Sequence, residues 1–187
     1  VTSTGNVVDD FYTGIYAKAA GVGAAGTTDL EGNSLEGVSL AITANTVTGG
    51  TDGIIGRNQG SGALTVTTNG TVLGSNGDGV FARNGAYVDE DGTPGPDTYS
   101  TGDIKYTPAG TDLTITTGAN VTGSDNGIRA YNSGTGALLI TADGNVEGES
   151  SVGIYAVNRV IENSETSYGR VFRDYGSAGT DLTVVAN

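Results

Sequence analysis

Apolar and polar residues alternate along most of this chain, in short runs broken by glycine. In Leu64-Thr65-Val66-Thr67 and Leu113-Thr114-Ile115-Thr116 the aliphatic side chains face one way and the threonines the other, the period of two that marks a half-buried strand. No segment shows the three-and-four spacing of a helix, and glycine recurs too often for one. The strands follow a fixed succession. The phrase Gly-Ile-x-Ala, or a near variant, opens at Gly14, Gly53, Gly79, Gly127 and Gly153. After a variable gap comes Leu-x-Ile/Val-x-Thr, then Asn-x-Val or a relative of it. Starts are 39, 26, 48 and 26 residues apart, so the compact unit is 26 residues and two units carry 13 and 22 extra. Such a period marks stacked units, none of which buries its apolar face alone.

The expected fold is all-β: a single right-handed parallel β-helix over residues 1–187, with about five coils of 26 residues and three strands per coil. Its inward files are Leu40, Leu64, Leu113, Leu138 and Leu182; Ile42, Val66, Ile115, Ile140 and Val184; and Val7, Val47, Val72, Val121 and Val146. Counterparts in successive coils then lie about 4.8 Å apart, the spacing of strands in a sheet. A small residue recurs in the Gly-Ile phrase (Ala17, Gly56, Ala82, Ala130, Ala156), which implies a pinched interior there. Asn58, Asn84, Asn132 and Asn158 form a further file at a strand end. Stacked asparagines suit such a corner, since Asn tolerates tight turns and carries both donor and acceptor. Three insertions, at about 18–36, 85–110 and 159–179, leave the column at that same corner. The intervening coils cross it with short links.

The phrases Gly127-Ile128-Arg129-Ala130-Tyr131-Asn132, Gly136-Ala137-Leu138-Leu139-Ile140-Thr141 and Gly144-Asn145-Val146-Glu147-Gly148 resemble the β-helical passenger domains of bacterial autotransporters, the pertactin-like group of type V secretion. The resemblance covers nearly the whole chain apart from the insertions. It implies a right-handed parallel β-helix, export to the cell surface and a structural or adhesive role. Related phrases occur in other surface and phage β-helices.

Composition narrows the field. Glycine makes up 33 of 187 residues, well above the usual ~7%, which suits a turn-rich solenoid. The net charge of −13 argues against nucleic acid, whose binding needs a basic stripe, and against an anionic membrane surface. With no Cys and no His, thiol catalysis, disulfides and zinc sites are excluded on ligand grounds. A cysteine-free chain also suits folding after passage across a membrane. No run of 18 apolar residues is present, so this segment is not expected to insert into a membrane as a helix. Any targeting segment would lie outside this stretch.

Function is expected where per-repeat insertions gather on one side. Binding-surface candidates are Tyr87 and Tyr99 in the second insertion, with Arg159, Tyr168, Arg170, Phe172, Arg173 and Tyr175 in the third. Arg and Tyr are over-represented at contact hot spots. The run Tyr168 to Tyr175 reads equally as a hairpin strand. Asp89, Asp91 and Asp97 are weak candidates for calcium, which takes several oxygen ligands, but the loop fits neither the EF-hand pattern nor the calcium β-roll repeat. An acidic solvated loop is the simpler reading, and no cofactor is expected. On the column, Tyr16, Ile55, Phe81, Arg129 and Tyr155 form an outward file that can stack on itself or on sugar rings.

The alternative function is a carbohydrate-active β-helix enzyme, a polysaccharide lyase or hydrolase, including the phage-tailspike kind. Glycoside hydrolysis needs two carboxyls about 5 to 9.5 Å apart, which neighbouring coils can supply. Asp52 and Asp78 share one file and Arg57 and Arg83 another, but the acid file breaks to Asn126 and Val152, which favours turn formation. A threonine file (Thr2, Thr43, Thr67, Thr116, Thr141) raises ice binding, weakened by Ala41 and Leu139 beside it. The chain begins and ends in the same phase of the coil, so more β-helix is expected against both ends, in the same chain or as stacked copies. Carbohydrate or a protein receptor is the expected further partner, at a bacterial cell surface.

Overall fold

The computed structural model describes residues 1–19, 39–58, 62–85, 111–158, 161–167, 170–175 and 181–187. Among them no helix occurs. Three five-stranded sheets run through the chain, and every pairing within them is parallel. The first sheet stacks β1 (Val7–Asp9), β4 (Val47–Gly49), β7 (Val72–Gly74), β10 (Val121–Gly123) and β13 (Val146–Gly148). The second stacks β2 (Ile15–Ala19), β5 (Ile54–Asn58), β8 (Val80–Asn84), β11 (Ile128–Asn132) and β14 (Ile154–Asn158). The third stacks β3 (Leu40–Ala44), β6 (Leu64–Thr68), β9 (Leu113–Thr117), β12 (Leu138–Ala142) and β17 (Leu182–Ala186). Each coil contributes one strand to each sheet, which is the parallel β-helix that the repeat predicts. An antiparallel hairpin, β15 (Ile161–Ser167) with β16 (Arg170–Tyr175), occupies part of the third insertion.

Register follows the files residue by residue. Leu40 pairs with Leu64, Leu64 with Leu113, Leu113 with Leu138 and Leu138 with Leu182. The isoleucine–valine file beside it and the valine file of the first sheet are in register in the same way. Leu64, Leu113, Leu138, Ile42, Val66, Ile115 and Ile140 are fully buried, each worth about 1.5–3 kcal/mol of apolar burial. A one-residue slip would turn every one of them to solvent, so burial itself holds the register. The small residues Ala17, Gly56, Ala82, Ala130 and Ala156 also lie in one file, facing the leucines across the interior.

The first turn of each coil brings backbone into contact with backbone. A Cβ at Gly53, Gly79 or Gly127 would meet both a valine methyl and the carbonyl oxygen of the glycine one coil on. At Gly49, Gly74, Gly123 and Gly148 it would strike the carbonyl of Asp52, Asp78, Asn126 or Val152. The Gly file is therefore a packing requirement of the corner.

One expectation needs correction. The first insertion begins later than 18, because Lys18 and Ala19 are strand residues paired with Arg57 and Asn58. Both ends lie on the third sheet, the same phase of the coil, and differ in burial. At the first end Thr2 pairs with Thr43, flanked by Ser3 N–H donating to the Thr43 carbonyl (2.9 Å) and Thr43 N–H to the Val1 carbonyl (2.9 Å). This extra rung leaves Ile42 fully buried, whereas Leu182 and Val184, inward-facing in the last coil, are 51% and 45% exposed.

Candidate functional site

The corner between the second and third sheets is built on asparagine. Asn58 Nδ2 donates to Asn84 Oδ1 (2.9 Å), Asn84 Nδ2 to Asn132 Oδ1 (3.1 Å) and Asn132 Nδ2 to Asn158 Oδ1 (3.1 Å). The same amides close the turn beneath them: Asn58 onto the Gly62 carbonyl (2.9 Å), Asn84 onto Asp112 (3.0 Å), Asn132 onto Gly136 (3.1 Å) and Asn158 onto Asp181 (2.7 Å). All four side chains are buried, so the ladder satisfies polar groups that burial would otherwise penalise. Ala19 takes this position in the first coil. Long and short crossings leave the column from this one file: Asn58 to Leu64 and Asn132 to Leu138 are six positions apart, while Asn84 to Leu113 is 29. Gly85, with φ of 126°, opens the long crossing in a conformation that favours glycine.

Beside that corner lies the outer face of the second sheet, made of two files. One runs Tyr16, Ile55, Phe81, Arg129 and Tyr155; the other, two residues along each strand, runs Lys18, Arg57, Arg83, Tyr131 and Val157. Four of the chain's eight Lys and Arg residues therefore share this face, and no Asp or Glu occupies an outward position on it. The rings interlock: Phe81 and Tyr131 have centroids 6.1 Å apart and tilted by 57°, and Tyr131 and Tyr155 are 5.8 Å apart at 56°. The guanidinium carbons of Arg129 and Arg57 stand 4.8 and 5.4 Å from the Phe81 centroid, within cation–π range. Burial in this cluster pushes the Tyr131 phenol above its ordinary value, with neighbouring Arg129 pulling the other way. Tyr16 (56%), Tyr155 (45%) and Lys18 reach solvent.

Arg129 is anchored from below. Its Nε lies 2.8 Å from Asp78 Oδ2, and Asp78 Oδ1 accepts from Asn126 Nδ2 (2.8 Å) and Asn126 N–H (3.2 Å). Asp52 Oδ1 in turn accepts from the Asp78 N–H (2.9 Å). One oxygen of the buried Asp78 carboxylate thus bonds the next turn, and the other forms an ion pair with Arg129 on β11. Asp52 and Asp78 both accept backbone N–H groups of the next coil's turn.

Of the binding candidates read from sequence, Arg170, Phe172, Arg173 and Tyr175 lie on β16, paired through the backbone with Ser167, Glu165, Ser164 and Ile161. Tyr87, Tyr99, Arg159 and Tyr168, and the acidic trio Asp89, Asp91 and Asp97, lie outside the described residues. Among the described residues no cluster of three potential metal ligands occurs, and no helix is long and apolar enough to cross a membrane. Sequence reasoning saw Arg57 and Arg83 in one file but missed its extension to Lys18 and Tyr131, and it missed the Asp78 anchor. The signal for the file was the i, i+2 spacing from Tyr16 to Lys18, Ile55 to Arg57, Phe81 to Arg83 and Arg129 to Tyr131. Compared with known protein families, curated proteins and solved structures, the chain matches none.

Proposed function

We propose that this chain is a structural and adhesive segment of a bacterial surface protein. It forms a stiff column that presents loops for binding to host, to neighbouring cells or to like copies. The observation behind this reading is that the insertions leave the column from one corner. Ala19, Asn84 and Asn158, the last strand residues before them, belong to a single register file. An asparagine ladder bonds that file from Asn58 to Asn158, and Ala19 joins it through strand pairing, so the loop bases are held at fixed spacing. Loops positioned by a rigid scaffold are where binding residues concentrate. The passenger-like phrases of the repeat supply the surface location in this proposal.

The test displays the chain on a non-adherent bacterial cell and measures attachment to host cells and cell–cell clumping. A companion variant replaces residues 85–112 with the short link 133–137, and its fold is checked by circular dichroism. The display should confer attachment or clumping, and the short-link variant should keep its strand spectrum while losing that adhesion. Equal adhesion by the shortened chain, or none by the full chain, would contradict the proposal.

A further inference from the structure

The outward faces of the three sheets differ in kind. The third is dominated by threonine and holds no charged residue, and the first presents Val8, Thr48, Leu73, Thr122 and Glu147. Of these three faces the second alone carries Lys or Arg, namely Lys18, Arg57, Arg83 and the Asp78-paired Arg129, in a molecule whose net charge is −13. A cationic strip on an acidic molecule is a local inversion of field that steers an anionic ligand to one place.

From this we infer that the outer face of the second sheet, independently of the loops, binds an acidic polysaccharide: a chain of sugar rings bearing uronate carboxylates, laid across the coils. Tyr16 and Tyr155, in the first and last coils, offer half-exposed rings for the apolar faces of sugars, whose hydroxyls point outward around the ring. Lys18 and Arg129 meet the carboxylates, the Arg129 side chain keeping 39% exposure beside its pair with Asp78. From Tyr16 to Tyr155 is four coil steps, about 19 Å at strand spacing, which accommodates an extended oligosaccharide rather than a single sugar. The surface is also preorganised. Tyr155 leans on Tyr131 and Tyr131 on Phe81, while Arg129 is paired with a buried carboxylate, so Tyr155 and Arg129 have less side-chain freedom to lose on binding. Rings interleaved with cations also suit single-stranded nucleic acid, and a poly-thymidine comparison separates that ligand from a uronate chain. Uronate, with its charge spread one per sugar and a wide apolar ring face, fits both halves of the surface.

The test measures binding of the full chain to immobilised polygalacturonate, with neutral dextran, poly-glutamate and poly-thymidine DNA as comparison polymers. Binding is expected to polygalacturonate, weakened by added salt, and not to dextran. In Lys18→Ser and in the double variant Tyr16→Ser, Tyr155→Ser the dissociation constant should rise at least tenfold. These side chains are exposed, so melting temperatures should stay unchanged and separate lost binding from lost fold. The inference is overturned by absence of polygalacturonate binding, by equal binding to poly-glutamate, by preference for poly-thymidine, or by affinity that the variants leave unmoved. Adhesion retained by a chain that ignores polygalacturonate would leave the loop-presenting role standing and remove this one.

Discussion

Asn84 does three jobs with one amide: it accepts from Asn58, and donates to Asn132 and to the Asp112 carbonyl. Being fully buried, it has no water to replace those partners. Asn84→Ala should therefore cost about 2 kcal/mol, the range for stranding buried polar groups, read as a shift in the urea midpoint. Thr67→Ala, on the outward face of the third sheet, should stay within about 0.5 kcal/mol. If the two variants matched, the ladder would not be the polar brace of the column. The asparagine file was legible in the sequence because the residue type repeats at the same phase. The Asp78–Arg129 pair was not, because its partners sit in different coils, one at a turn and one within a strand, and Arg129 is the one arginine of its file. Period-two alternation does place Thr68 and Thr117 inward, yet only the structure shows their hydroxyls buried without a partner.

Strands were the most legible elements, since one pattern of five residues recurs with only conservative changes. The corners were harder. At the turn between the third and first sheets a second set of polar contacts runs coil to coil, with Asn45 Nδ2 donating to the Thr4 carbonyl (2.6 Å) and the Asn145 N–H to Asn120 Oδ1 (3.0 Å). Its members vary between Asn, Gly and Asp, so no repeat announces it. Glycines likewise look alike in sequence while differing in duty. A methyl on Gly74 would run into the Asp78 carbonyl, which is rigid backbone, whereas one on Gly56 meets the far end of the Ile42 side chain at 2.9 Å, and the other coils carry Ala there. Gly74→Ala should cost about 1–3 kcal/mol as an overpacked site, and Gly56→Ala should be nearly neutral. Thermal unfolding of both variants checks this, and equal losses would mean that the Gly corner is not the tight contact described.

For the whole molecule, the lasting consequence of the repeat is a column whose core is a set of files, so each coil depends on its neighbours. The faces of that column diverge, and this is where chemistry becomes specific: threonine on one side, cations and rings on another. The face composition was present in the sequence but scattered over residues 16 to 157, and the stacking of coils is what gathers it. The insertions hid the coil count less than they hid the face, since the strand phrases resume in phase after each of them.

The central claim is that coils stack in this register, with Leu64–Thr68 paired directly to Leu113–Thr117. Because the chain has no cysteine, paired substitutions test it without interference. Thr65 and Thr114 are register partners across the second insertion, and Thr114 and Leu139 are partners one coil further on. Adjacent strands place such Cα atoms about 5 Å apart, inside disulfide range, while next-but-one strands lie near 10 Å, beyond it. Mild oxidation of the Thr65→Cys/Thr114→Cys and Thr114→Cys/Leu139→Cys variants should give near-complete intramolecular disulfides, and Thr65→Cys/Leu139→Cys should give almost none. A disulfide in the third pair with failure of the first two would contradict the stacking order, and with it the cation–aromatic face and the common corner from which the loops emerge.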